Sequence, residues 1–356
     1  MGKKKKGKKS FVIKVIIAVF LVSIIGGGIW AYEKYKMIYL PNVFLGKNIK
    51  QHLYIPTGSS MQDVVNILYE NGYIINKSSF EWLAEQKNYK NHVHPGKYII
   101  KSGMSNNKLI DLLRSGEQEP LKLTFNSIRT KEQLATRIAS QIEADSLSIM
   151  KLLLDKNFLS NKYHMNPENI LSLFIPNTYE FYWNTSAEKF LDRMANEYKA
   201  FWTEERKAKA KQIGLSQSEV TVLASIVQAE QSRHNDEKAI IAGLYINRLK
   251  KGMRLESDPT LVYAHGDFSI NRVLNVHKEI NSPYNTYRNT GLPPGPINLP
   301  EVSSLDAVLN YKKNDFIFMC AKEDFSGYHN FSKSLEQHNI YAQKYRAALN
   351  KRKIMK

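Results

Sequence analysis

The chain has 356 residues, 43% of them hydrophobic, enough apolar surface for two or three packed domains and too much for a disordered tail. Its formal charge of +18 would suit a nucleic-acid binder, but six of the lysines (Lys3, Lys4, Lys5, Lys6, Lys8 and Lys9) stand in the first nine residues. No aromatic-plus-basic RNA motif or recognition-helix pattern follows them, so nucleic acid is excluded as a partner. The single cysteine, Cys320, rules out an intrachain disulfide and a cysteine metal cluster.

Residues 1–10 form a basic tail, and 11–32 are predicted as a transmembrane anchor. Within that anchor, residues 15–32 are an uncharged run of 18, with Trp30 and Tyr32 where an aromatic belt would lie. Roughly 20 apolar residues span a bilayer, and the basic flank predicts a cytoplasmic N-terminus with everything after the anchor on the far side. A cleaved signal peptide also has a basic start and an apolar core; here the run is long for one and no small-x-small cleavage site follows.

A basic connector is expected over 33–50. Residues 51–126 then read as a small α+β module: a strand start at "YIP", apolar helical patterns around Val64 and Leu68 and around residues 80–86, a short strand in "HPGKYII", a helix stopped by Gly116, and an alternating strand through Leu121, Leu123 and Phe125. Residues 127–185 loosely echo that order as a linking α+β subdomain. From 186 to 356 the texture changes to long charged helices. The fold class is α+β throughout.

In "SQSEVTVLASIVQAEQ", Ser216 and Glu219 have the spacing of a capping box, so a helix starts near Gln217. Counted from there, Val220, Leu223, Ala224 and Val227 share one face, and the next position on it is Glu230. A carboxylate at the edge of an apolar face is desolvated, which raises its pKa and suits it to donate a proton near neutral pH. The alternative places Glu230 past the buried part of the helix, solvated or paired with Arg233 or Arg248. A second helix, "EKAIIAGLYINRLKKG", follows. Then "SPYNTYRNTGLPPGPIN" is a loop rich in Tyr, Asn, Pro and Gly, of the kind that stacks on sugar rings and pairs with hydroxyls.

"LASIVQAE", "YINRLKKGMRLESDPTLVY", "SPYNTYRNTGLPPGPI" and "HNFSKSLEQHN" resemble, in order and spacing, the endolytic murein transglycosylases of the YceG-like family. With the anchor and the small module, which resembles that family's LysM-like domain, the likeness covers nearly the whole chain. It implies an enzyme of the bacterial inner membrane that cuts the β-1,4 bond between N-acetylmuramic acid and N-acetylglucosamine in nascent peptidoglycan, leaves 1,6-anhydro ends and terminates strand elongation. The implied partners are glycan strands and the membrane, with peptidoglycan synthases or division proteins nearby.

By the same resemblance residues 186–356 are the catalytic domain and Glu230 the catalytic acid. Relatives often carry a second acid two residues earlier, where this chain has Gln228. Substrate contacts are expected from Asn247, Arg254, Asp258, Tyr263, Tyr284, Asn285, Tyr287, His329, Ser332 and Glu336. For Asp258 the alternative is a turn residue before Pro259, and for His329 and His338 it is structural polar contact or rim binding.

A water-using glycosidase needs two carboxylates. A lytic transglycosylase manages with one, because the muramic acid C6 hydroxyl is the nucleophile and the substrate itself supplies proximity. No cofactor is expected: no lysine stands in a cofactor-binding setting. No metal is expected either, since His92 and His94 lack acidic partners. The competing function is a non-catalytic, membrane-anchored peptidoglycan-binding or scaffold protein, motivated by the small module and the basic surface.

Overall fold

The computed structural model describes residues 4–270 and 272–352, with side chains from residue 10 onward. The chain divides into two compact units, Met1–Leu121 with Tyr182–Asn184, and Lys122–Phe181 with Thr185–Lys356.

The first unit begins with α1 (Lys4–Tyr39). From Ser10 to Tyr39 this helix is long and apolar enough to cross a membrane, and its side chains there are largely exposed. It does not stop where the apolar run stops. Residues 33–39, expected as the start of a connector, continue the helix, and Val43 and Leu45 just beyond it are buried in the unit's core. Next come β1 (Lys50–Ile55), α2 (Met61–Glu70), α3 (Lys77–Gln86), β2 (Gly96–Lys101) and α4 (Asn106–Ser115). The strands β1 and β2 pair antiparallel, Leu53 opposite Tyr98, and one face of the ribbon buries Leu53, Ile55, Tyr98 and Ile100. Against these pack Val64, Val65 and Leu68 of α2, Phe80 and Leu83 of α3, and Leu109, Ile110 and Leu113 of α4. A two-stranded ribbon is marginal alone, so this helical cover is what stabilises it. Ser60 caps α2 with Asp63 in a capping box, and Gly116 ends α4 in a left-handed conformation.

In the second unit, β3 (Leu121–Thr124), which starts one residue earlier, pairs with β4 (Thr178–Phe181) around α5 (Lys131–Ala139), α6 (Ser146–Leu154) and α7 (Lys156–Tyr163). Six helices and a hairpin follow: α8 (Ala187–Phe201), α9 (Glu204–Ile213), α10 (Gln217–Glu230), α11 (Asn235–Lys250), α12 (Asp258–His265), α13 (Val302–Leu309), then β5 (Phe318–Ala321) paired antiparallel with β6 (His329–Ser332). The chain closes with α14 (Leu335–Lys351), packed on that hairpin. At the centre is α10, touching α9, α11, α12 and α13. The expected capping box is present, Ser216 accepting from Glu219 N and Glu219 from Ser216 N. One expectation needs correcting: α10 has no single apolar stripe. All eight residues 220–227, Thr221 and Ser225 included, are buried, because neighbours cover the helix on every side.

Candidate active site

Glu230 is the last residue of α10, and the helix stops there for a definable reason. Gln231 turns to extended backbone, and its side-chain oxygen accepts the N–H groups of Arg233 and His234. Its amide nitrogen donates to a Glu237 carboxylate oxygen and to the Gly327 carbonyl. The Glu230 side chain is half-buried. Its Oε1 accepts two hydroxyl hydrogen bonds, from Tyr245 of α11 at 2.7 Å and from Ser257 at 2.5 Å. Among the described residues no hydrogen bond falls on Oε2.

Both donors are themselves held. Tyr245 is buried in the middle of α11. Ser257 is buried too; its N–H donates to Thr286 Oγ1, and its carbonyl accepts from Thr260, which shares a hydroxyl contact with the same Thr286. The segment before Ser257 is tied to α11 by Arg248, whose guanidinium donates to the carbonyls of Arg254 and Ile317 and pairs with Glu256.

Burial pushes the Glu230 carboxyl above its ordinary value. The Ser257 and Tyr245 donors favour the anion and oppose that shift; Asp258 raises it further, and His329 lowers it. The Tyr245 hydroxyl is pushed well up by the same burial and by the Glu230 charge, so it stays protonated and donates.

The sequence-predicted residues separate into two groups. Asp258, first in α12, accepts from the Tyr287 hydroxyl at 2.6 Å, and both Asp258 and His329 lie close enough to act electrostatically on Glu230. Tyr263 and Tyr284 face each other with ring centroids 4.7 Å apart. The others differ in how far their side chains are exposed. Asn285 is fully buried, with its amide hydrogens donated to the carbonyls of Lys278 and Ile280 and its oxygen taken by Tyr287 N, so it staples its own loop. Asn247 likewise donates to the carbonyls of Asn314 and Phe316. The Ser332 side chain is buried. Arg254 and Glu336 are exposed, and it is the Arg254 carbonyl, not its guanidinium, that is bonded to the frame.

Four residues of the constellation escaped the sequence analysis: Tyr245, Ser257, Gln231 and Glu237. The last is a buried carboxylate with both oxygens in use. It accepts the His329 N–H at 2.9 Å, lies 2.7 Å from the ring Nδ1 of His329, and takes the Gln231 amide. Gln228, at the position where the resemblance implies a second acid in relatives, has a capping role, its side-chain oxygen accepting Glu301 N and the Ser304 hydroxyl at the start of α13. Gly295 in "PPGP" is required by close approach, since a Cβ there would overlap the Glu168 carbonyl oxygen. The described residues contain no cluster of His, Cys, Asp and Glu that could hold a metal. A 560 Å³ cavity lined by Ser216, Glu219, Val222, Gly291 and Pro293 lies toward the N-terminal end of α10, about 12 to 21 Å along the axis from Glu230.

The chain is similar to known proteins over most of its length. The model of the YceG-like family matches residues 53–344. The endolytic murein transglycosylase of Bacillus subtilis (strain 168) is 30% identical over 313 residues, 84% of this chain and 85% of that protein. The endolytic murein transglycosylase of Streptococcus pneumoniae (strain R6) is 28% identical over 348 residues, 88% of this chain, which spans 61% of that longer protein. A crystal structure of a yceG-like protein from Listeria monocytogenes superposes with a TM-score of 0.55 at 30% identity, covering 82% of this chain and 98% of that one.

Proposed function

This chain belongs to the YceG-like family, and from that premise we propose that it is a membrane-anchored lytic transglycosylase that cuts murein strands internally, with Glu230 as its single acid and base. The observation that carries the proposal is the carboxyl at the end of α10, raised in pKa by burial and fixed through Oε1 by Tyr245 and Ser257. With Oε1 occupied, the labile proton belongs on Oε2.

The bond cut is the β-1,4 link between N-acetylmuramic acid and N-acetylglucosamine. Oε2–H gives its proton to the glycosidic oxygen as the C1–O bond breaks, and the N-acetylglucosamine side leaves as an alcohol. The resulting carboxylate takes the proton of the muramic acid C6 hydroxyl as O6 bonds to C1. Acid and base are thus one group restored after each turnover, and the product end is a 1,6-anhydro ring. Positive charge at C1 is stabilised by the nearby carboxylate of Asp258, which the Tyr287 hydroxyl orients.

The Tyr263 and Tyr284 rings supply faces for sugar stacking. The small module takes the LysM-like, murein-holding role, and α1 holds the enzyme in the plasma membrane with the basic tail inside. Cutting strands as they are made terminates their elongation, in the neighbourhood of synthases and division proteins.

The test is digestion of purified, uncrosslinked murein strands by the full chain, with the products weighed. Anhydro ends are one water lighter than reducing ends, and internal cleavage leaves a spread of lengths. Products with reducing ends alone would make the protein a hydrolase and refute the single-carboxyl mechanism, whereas binding without any cleavage would leave a scaffold protein. Glu230→Gln is expected to bind strands and cut none.

A further inference from the structure

The first unit is built onto the end of its membrane helix without a linker. One direct contact, one bridged by α4 and one between the residues that flank the helices set the register between α1 and α3. Lys34 Nζ lies 3.8 Å over the ring of Trp82. One turn on, the Met37 carbonyl accepts from the Asn106 amide, which also donates to Ser79 Oγ. Just past the helix, Asn42 exchanges hydrogen bonds with the backbone of Asn76 and donates to Asn106 Oδ1 at 2.7 Å. Positions 34, 37 and 42 therefore match 82, 79 and 76, so α3 runs antiparallel to α1 and its C-terminal end points back along the anchor.

That direction has a consequence for depth. The uncharged run ends at Tyr32, two residues or about 3 Å of helix before Lys34. From Trp82 to Gln86 the α3 axis descends by up to about 6 Å, which brings its end to the level of Tyr32. There the chain turns through Asn88, in a left-handed conformation, while Tyr89 is fully buried and pins the turn to the core. What the turn exposes is Gln86, Asn88, Lys90, Asn91 and His92. Residues 86–92 carry two lysines and no carboxylate; Lys87 pairs with Asp111, and Glu85 stands just before them. Polar, amide-rich and mildly cationic, this corner has the chemistry of the phosphate layer into which the geometry carries it.

We infer that the turn at residues 86–92 is a membrane-contact surface, seated among the phospholipid headgroups on the side where the first unit lies. The proposal rests on α1 spanning the bilayer. It makes the anchor and the small module one rigid body whose base is lipid-bound, in place of a module swinging on a tether. The network of buried Asn42, Asn106 and Ser79 with the Asn76 backbone is what keeps it from tilting away, because the two buried amides would lose partners if the helix end came loose.

The test uses the full chain with Cys320→Ser, reconstituted in vesicles of phosphatidylethanolamine and phosphatidylglycerol, with a nitroxide attached at Lys90→Cys or at Gly27→Cys. Accessibility to oxygen and to a water-soluble nickel chelate gives each label's depth, calibrated on headgroup-labelled lipid. The Gly27 label is expected in hydrocarbon. The Lys90 label is expected at phosphate depth, with nickel accessibility several-fold below that of an aqueous nitroxide. A Gly27 label in hydrocarbon beside a Lys90 label in bulk water or in hydrocarbon overturns the contact surface alone. A Gly27 label in water overturns the anchor, and the contact surface falls with it.

Discussion

Replacing Tyr245 by phenylalanine keeps the buried ring and removes one of the two hydroxyls that hold Glu230 Oε1, across a bond of 2.7 Å. A hydrogen bond to a charged group contributes about 1.5–3 kcal/mol, and one pKa unit corresponds to about 1.4 kcal/mol. Because Ser257 still donates to the same oxygen, the lower end applies, and the expected change is about one unit. Its sign follows from which form the donor favours. Tyr245 stabilises the carboxylate, so without it the acid keeps its proton to higher pH. The alkaline limb of kcat/KM should move up by about one unit in the phenylalanine variant. Release of anhydro-ended fragments from uncrosslinked strands, followed by mass spectrometry across about pH 5 to 9, measures that limb. A limb that stays in place, or moves down, while the variant melts at the parent temperature would refute the assignment of Tyr245 as a group that sets the proton affinity of Glu230.

Glu230→Gln, besides abolishing turnover, should stabilise the fold at neutral pH. The folded protein binds this proton more tightly than the unfolded chain, whose carboxyl titrates near 4.5, so stability from this group is intact below that pH and falls as pH rises toward the raised folded value. Calorimetry should therefore find a larger gain in Tm at pH 7 than at pH 4, and equal gains would count against a desolvated acid. Gln228→Ala should cost about 1 kcal/mol by uncapping α13, as read from a denaturant midpoint. Gln228→Glu should keep that cap, and its combination with Glu230→Gln should stay inactive; restored cleavage would move the acid to position 228. Glu237→Ala strands the Gln231 amide and the His329 N–H, each at about 1–3 kcal/mol, and should lower both Tm and turnover. Loss of Tm with full turnover would show that His329 matters only to the fold.

How much of this was legible in the sequence depends on the range of each interaction. The start of α10 was readable because a capping box is a contact three residues long. Glu230 stands out in the sequence by its place in a helical pattern, though the pattern is weaker than it looks, since residues 220–227 are buried on all sides. Its two donors lie 15 and 27 residues further on and meet it only through the packing of α11 and the 254–257 segment, which no local spacing reveals. The Asn residues misled for a physical reason. Irregular backbone leaves carbonyls without partners, and a buried amide is the usual way to satisfy them, so an Asn-rich loop has the same composition whether its amides face a sugar or its own chain. Asn285 and Asn247 face their own chain. The continuation of α1 past its apolar run was hidden too, because the residues that grip it, Ser79, Trp82 and Asn106, lie in helices read separately.

The position of Glu230 on α10 ties these strands together. A helix C-terminus carries unpaired carbonyls and a negative end of the helix dipole, which disfavours an anion there and adds to the effect of burial. Left alone, such a carboxyl would hold its proton too firmly to act as an acid on a sugar bridge. The two hydroxyls come from outside α10 and both reach Oε1, so they stabilise the anion and leave Oε2 open for the proton exchange of the proposed mechanism. The proposed mechanism makes one group an acid in one half of the reaction and a base in the other, which needs its two forms close in free energy, and a helix end opposed by two donors is an arrangement that brings them close.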